Sequence, residues 1–229
     1  MGGQACVFYG AAQFSKDIDF VVMASQDNFK FLSEALHDLS AQRIAVPPFD
    51  QQCLARGHAV HFRCQEQGVE GLRIDVMTRL RDLPDFEQLW IRRTTVTDPS
   101  GQRFELMAVE DLVRAKKTQR DKDWPVIAAL VEGHYRSMNE ARTPERIMFW
   151  LRESRSPERL TELVQKFPEQ CKALLPGRPL LDLAMRGEME QLRAALDAEM
   201  RAEQAKDREY WAPLKAELEA FRRAERSNF

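Results

Sequence analysis

The sequence lacks several features that would place it in a specialised class of protein. It has no apolar run near the roughly 20 residues that cross a bilayer. Its first residues lack a basic region and a long apolar region, so a secretory signal is not expected. Its four cysteines form no CxxC pair, which is typical of reduced cytosolic thiols. A net charge of −2 argues against a protein that coats nucleic acid by bulk electrostatics and leaves a local basic patch as the alternative. With 44% hydrophobic residues, we expect a soluble, cytoplasmic protein with a packed core.

The first half of the sequence predicts strands that alternate with a helix. Runs of β-branched and aromatic residues predict five strands, at 17–24, 58–64, 71–78, 93–97 and 102–107, and the last two flank a turn. Apolar residues at helical spacing predict a helix over 27–39. This alternation indicates an α/β or α+β fold with a mixed sheet.

From Val109 onward the pattern is helical. Thr143 and Ser156 each precede a proline and a glutamate, which is typical of the start of a helix. Pro213 predicts another helix start in a tail rich in Ala, Glu, Leu and Arg. The second half is therefore expected to be a helical region.

The chemistry of the chain points to two carboxylates in the first predicted strand. Asp17 and Asp19 are two residues apart, so their side chains share one face about 6.6 Å apart at the backbone. Ile18, Phe20 and Val22 are expected on the opposite, buried face. Two carboxylates directed at one point repel each other unless a cation lies between them, and Mg²⁺ or Mn²⁺ takes such oxygen ligands.

A third carboxylate occurs in the same kind of pattern. Asp75 alternates with Leu72, Ile74 and Val76, so it faces away from the apolar side of its predicted strand. Three acids on two neighbouring strands can hold a pair of metal ions about 3.5–4 Å apart for phosphoryl chemistry. Asp17, Asp19 and Asp75 are therefore the candidate catalytic and metal-binding residues.

The run from Gly2 to Val22, GGxAxxxxGxxxxSxDIDFVV, resembles the signature of the nucleotidyltransferase superfamily with the DNA-polymerase-β-like fold. Members of that superfamily include tRNA-modifying enzymes, antibiotic adenylyltransferases and toxins of toxin–antitoxin systems. The resemblance covers roughly residues 2–131, and it includes Asp75 and a basic segment that contains Lys116.

The resemblance implies a nucleotide-binding role for several residues. Gly2 and Gly3 would open a helix whose amide end meets the triphosphate of an NTP. Ser15, Lys16 and Lys116 would also belong to the nucleotide site. A charged helix face that is merely solvated is the alternative interpretation for Lys116.

The resemblance also implies an activity and a domain arrangement. Asp17 and Asp19 would bind both metals, while Asp75 would bind one and help to deprotonate the acceptor hydroxyl. The enzyme would move an NMP from an NTP to that hydroxyl, on RNA or protein, and release pyrophosphate. Residues 1–133 would form the catalytic domain, and the helical region 134–229 would line the acceptor side or bind a partner such as an antitoxin.

Two departures from the family pattern leave alternatives open. The glycine pair follows only Met1, where the family has an apolar strand, so we expect the natural chain to begin upstream. Gln13 stands where many relatives have arginine. The alternatives are an inactive binding or antitoxin-type module that acts through the helical tail, and a sensor that binds nucleotide without transferring it.

A zinc site is not expected near the second predicted strand. Cys53, His58, His61 and Cys64 are possible ligands by type, but His61 faces away from His58 and Cys64 on a strand. Zinc ligands must converge within a few ångströms.

Overall fold

The computed structural model of the chain describes residues 1–227. It has the predicted mixed α+β class. The strands are β1 (Asp17–Val21), β2 (Gln42–Arg43), β3 (Val60–Arg63), β4 (Arg73–Met77), β5 (Thr94–Thr97) and β6 (Arg103–Leu106). The helices are α1 (Gly2–Phe8), α2 (Gln26–Asp38), α3 (Gln51–Arg56), α4 (Phe86–Arg92), α5 (Val109–Ala115), α6 (Asp123–Met138), α7 (Pro144–Glu153), α8 (Pro157–Lys166), α9 (Pro168–Leu174), α10 (Leu180–Arg186) and α11 (Met189–Ser227). None of these helices has an apolar stretch long enough to cross a membrane.

Contacts divide the described chain into two compact units. The first, here called the sheet unit, contains residues 1–8, 12–115 and 209–227, and it holds all six strands. The second, the helical unit, contains residues 9–11 and 116–208. These units differ from the predicted division at 133/134, because α6 belongs with the helices that follow it and the end of α11 belongs with the sheet.

The main sheet has four strands in the order β1-β4-β3-β2. β1 and β4 are parallel, whereas β3 is antiparallel to both of its neighbours. The five predicted strands are confirmed, each slightly shorter than expected, and β5 and β6 form the predicted hairpin. The two-residue strand β2 was not predicted, because so short a segment carries no periodic signal.

One face of this sheet is apolar and packs against helices. Val60 and Phe62 on β3 alternate with polar residues, as do Ile74 and Val76 on β4, and all four side chains are buried. Leu36 of α2 belongs to the same core. The period-two alternation therefore places His61 and Arg63 of β3 on the other face, together with Arg73 and Asp75 of β4.

β1 departs from the expected burial. Phe20 is 44% exposed, so the prediction that it lies on a buried face is wrong. β1 lies at the edge of the sheet, and there Phe20 lines a surface pocket with Phe86 and Trp90 of α4 instead of entering the core. Val22, just after the strand, does pack against the core of the sheet.

The helical unit begins its helices where the sequence predicts. The Thr143 and Ser156 side chains accept hydrogen bonds from backbone amides in the first turns of α7 and α8, each of which starts with proline. These caps satisfy amides that have no partner within the helix. Trp150 is fully buried in this unit.

The prediction of a helix start at Pro213 is wrong. This proline lies inside α11, which continues from Met189 to Ser227. Proline costs an interior helix one backbone hydrogen bond, so tertiary packing must offset the loss. In the sheet unit, the buried His58 ring lies 2.9 Å from a Glu217 carboxylate oxygen and makes an edge contact with Phe221, so this stretch is packed.

Candidate functional site

The three predicted carboxylates lie on adjoining strands of the sheet unit. Asp17 and Asp19 occupy alternate positions of β1, and β4 pairs with it in parallel. In that pairing Asp19 is the Cα partner of Asp75, and Asp17 is the partner of Arg73. Because residues in register on neighbouring strands project from the same face, the three aspartates and Arg73 share one side of the sheet.

The two glycines of the signature allow α1 to approach this row closely. A β-carbon at Gly2 would stand 1.8 Å from Asp19 Oδ2, and one at Gly3 would stand 2.2 Å from Ser15 Oγ. Gly2 also has a φ of +66°, which L side chains rarely adopt. The amide of Gly3 donates to Asp19 Oδ2 at 3.3 Å. In this structure the glycine pair therefore holds Asp19, and its predicted contact with triphosphate stays a prediction.

Ser15 holds the Asp17 carboxylate by a hydrogen bond, as Gly3 holds that of Asp19. Its hydroxyl lies 3.0 Å from Asp17 Oδ1 and 2.9 Å from the Asp17 carbonyl oxygen. Lys16, the next residue, is exposed. Ser15 thus fixes the Asp17 side chain relative to the strand, and its contact with nucleotide stays a prediction, as does that of Lys16.

Asp75 is held by two cationic or polar side chains that the sequence did not single out for this site. Arg73 donates through Nε to Oδ1 at 2.9 Å and through a terminal nitrogen to Oδ2 at 3.0 Å. His61 Nδ1 of β3 lies 2.8 Å from Asp75 Oδ1. Burial would raise the pKa of Asp75, but the hydrogen bonds from His61 and Arg73 outweigh it, and the pKa lies below its ordinary value.

The register explains why these residues meet. His61 is the Cα partner of Asp75, which is the partner of Asp19, so the three residues form a row across β3, β4 and β1. The alternation in the segment RIDVM could have shown that Arg73 shares a face with Asp75. The position of His61 depends on strand register, which the sequence does not reveal.

Lys116 belongs to the helical unit rather than to the unit that carries the aspartates. Its ammonium lies 3.3 Å from Asp123 Oδ1, and Thr118 and Arg120 donate to Asp123 Oδ2 at 2.6 and 2.8 Å. Burial raises the pKa of Asp123, but these hydrogen bonds and charges lower it by more. Asp123 thus has the role of a buried ion-pair partner of Lys116 and Arg120.

A cavity of about 460 Å³ lies in the helical unit. Four of its five charged lining residues pair among themselves: Arg159 lies 2.7 Å and Arg136 3.0 Å from Glu132, and Arg159 also pairs with Glu162. The fifth, Glu158, pairs with Arg193 outside the lining. The three aspartates are not part of its lining.

The aspartates fit the expected metal only in part. Asp17 and Asp19 offer hard carboxylate oxygens on one face, the donor type that Mg²⁺ and Mn²⁺ prefer. Asp75 differs, because both of its oxygens already accept hydrogen bonds from Arg73. Among residues 1–227, no three His, Cys, Asp or Glu side chains are grouped closely enough to hold an ion.

Comparisons with protein-family models, with curated proteins and with solved structures each found no match to this chain. The resemblance to nucleotidyltransferases therefore stays a prediction from the signature.

Proposed function

We propose that the protein is a metal-dependent nucleotidyltransferase that moves an NMP from an NTP to an acceptor hydroxyl and releases pyrophosphate. The observation that supports this most strongly is the placement of Asp17, Asp19 and Asp75 on one face of two parallel strands in register. An RNA or protein acceptor, a cytoplasmic location and an antitoxin-type partner are further parts of the proposal.

In this proposal Asp17 and Asp19 hold a divalent cation, Mg²⁺ or Mn²⁺. When bound, that ion would supply positive charge to the triphosphate. Ser15 and the Gly3 amide each hydrogen-bond one of the two carboxylates, so the pair is fixed before substrate arrives. Such preorganisation is the main contribution that a protein makes to phosphoryl transfer.

The acceptor oxygen forms a bond to the α-phosphorus while the bond from that phosphorus to the pyrophosphate oxygen breaks. The proton of the acceptor hydroxyl passes to solvent. Asp75 is a weaker proton acceptor than an ordinary carboxylate, because His61 and Arg73 lower its pKa against the effect of burial. We therefore assign Asp75 to holding the Arg73 guanidinium beside the site.

The test is a transfer assay with each α-³²P-labelled NTP, Mg²⁺ or Mn²⁺, and total RNA or cell lysate as acceptor. The double variant Asp17→Asn/Asp19→Asn removes both charges with little change of shape. A matched control, Asp27→Asn/Asp38→Asn, removes two charges from exposed ends of α2 in the same unit. We expect the wild type and the control to label an acceptor and the Asp17/Asp19 variant to lose at least about 100-fold in rate.

Equal labelling by the Asp17/Asp19 variant would refute the assignment of the site. Failure of folded wild-type protein to transfer any of the four nucleotides would favour the binding module. Nucleotide affinity measured on that same protein would then separate a sensor from a module that has lost nucleotide binding.

A further inference from the structure

Arg73 is placed as a fixed cation within the row of carboxylates. It lies on β4 two residues before Asp75, on the same face, and it is the Cα partner of Asp17. Its guanidinium binds both oxygens of Asp75 in a bidentate arrangement, at 2.9 and 3.0 Å. A bidentate pair of this kind strengthens the interaction and also fixes the position of the positive charge.

Most of the lone pairs of the Asp75 carboxylate already face hydrogen-bond partners. A carboxylate offers about four lone-pair sites, and here Arg73 takes one on each oxygen while His61 approaches Oδ1 at 2.8 Å. A divalent ion bound to Asp75 would also stand against the guanidinium, and like charges at such a short distance repel each other.

Arg73 is attracted by more than one carboxylate. It donates to both oxygens of Asp75 and is the Cα partner of Asp17, while Asp19 is the Cα partner of Asp75. Because an arginine side chain stays protonated in proteins, the guanidinium places a fixed positive charge in the row of all three acids.

We infer that Arg73 takes the place of a second divalent cation, so that this site holds one metal ion, at Asp17 and Asp19. The inference rests on the metal site of the proposed function. It departs from the two-ion arrangement that the resemblance implies, in which Asp75 is also a ligand. The protein would meet part of the charge requirement of a triphosphate with its own side chain.

The test counts Mn²⁺ ions bound to the full chain by electron paramagnetic resonance, with Mn²⁺ as the only added ligand. We expect one ion in the wild type, none in Asp17→Asn/Asp19→Asn, and two in Arg73→Gln. Arg73→Lys keeps the charge and should still bind one. Arg63→Gln is the matched control, because Arg63 is an exposed neighbour in register with Arg73 on β3, and it should bind one.

The line shape gives a second readout. Two ions about 3.5–4 Å apart couple magnetically, so the wild type should show the signal of isolated Mn²⁺ and Arg73→Gln a coupled one. Should Arg73→Gln fail to fold, the wild-type count and line shape still decide. Two coupled ions or no bound ion in the wild type overturns the inference, as does a single ion in folded Arg73→Gln.

These outcomes are separate from those of the transfer assay. One ion in the wild type without any nucleotide transfer would leave the inference standing and refute the proposed reaction. Nucleotide transfer by a wild type that binds two ions would support the proposed reaction and refute the inference of a single ion.

Discussion

Gly2 lies so close to Asp19 that a β-carbon at Gly2 would stand 1.8 Å from Asp19 Oδ2. Helix α1 can reach the carboxylate row only because the side chain is absent. The glycine pair and the aspartate pair of the signature are thus parts of one packing arrangement.

Gly2→Ala should therefore displace the Asp19 carboxylate and lower both stability and transfer. Gly68→Ala is the control, because Gly68 also has a positive φ, +89°, but a β-carbon there would have no atom within 4 Å. The control isolates the backbone penalty of about 1–2 kcal/mol for a left-handed alanine. Urea unfolding should show a larger loss in Gly2→Ala than in Gly68→Ala, with transfer impaired in Gly2→Ala alone; equal losses in both variants would contradict the packing argument.

Ser15→Ala should loosen the Asp17 carboxylate, which accepts a hydrogen bond from Ser15 at 3.0 Å. The expected cost is about 1 kcal/mol, equivalent to roughly fivefold weaker Mn²⁺ binding if it falls wholly on the metal site. Ser33→Ala is a suitable comparison, because the Ser33 hydroxyl donates only to the Phe29 carbonyl oxygen within α2, at 2.7 Å. A Mn²⁺ titration that gives equal affinity for both variants would show that Ser15 does not position Asp17.

Glu199→Gln should destabilise the helical unit strongly. The Glu199 carboxylate binds the guanidinium of Arg178 at 2.9 and 3.1 Å, and it also pairs with Arg155. Arg178 is 4% exposed, so the variant leaves a buried charge without its counterion. The expected loss in the free energy of unfolding is about 3–5 kcal/mol.

Glu169→Gln is the matched control, because it removes one carboxylate charge from an exposed ion pair. Glu169 pairs with Lys172 at 3.0 Å, and both side chains are more than half exposed. Such a surface pair contributes about 0–1 kcal/mol. Guanidinium chloride unfolding that shows similar midpoints for the two variants would mean that the Glu199 cluster is not a main source of stability.

The acid limb of the stability curve should depend on Asp123. Its pKa is lowered in the folded state, since hydrogen bonds and charges from Thr118, Lys116 and Arg120 outweigh the effect of burial. The unfolded chain therefore takes up the proton first. The contribution of Asp123 is complete above its unfolded pKa of about 3.9 and is lost as pH falls through the lower folded pKa.

Asp123→Asn should accordingly be less stable than the wild type at pH 7 and change less between about pH 5 and 2. Thermal unfolding at a series of pH values measures this slope. Asp27→Asn, at an exposed position of α2, should leave the slope unchanged. If Asp123→Asn shows the same dependence of stability on pH as the wild type, other carboxylates are responsible for the acid sensitivity.

The sequence predicted the parts of the site that depend on local pattern. Alternation alone placed Asp17 with Asp19 on one face of β1 and Asp75 opposite the buried Ile74 and Val76 of β4. Strand period is a local property, so these residues could be assigned without knowledge of the sheet.

The partners of Asp75 could not be found in the same way. Whether His61 lies beside Asp75 depends on the register of β3 against β4, and the exposure of Phe20 depends on β1 being an edge strand. Both are properties of the assembled sheet. The helices α3 and α4 were also missed, because six or seven residues give too few turns for a clear apolar period.

The sheet unit is discontinuous in the chain, and this has a consequence for the timing of synthesis. Residues 209–227 belong to it, and they bring Glu217 to the buried His58 only after the whole of 116–208 has been made. Translation adds about 5–20 residues per second, so several seconds pass between the synthesis of the strands and that of residues 209–227. During that interval the surface around His58 stays open to solvent and to chaperones, so the nascent chain should bind a holdase chaperone more strongly when translation is slowed within 116–208.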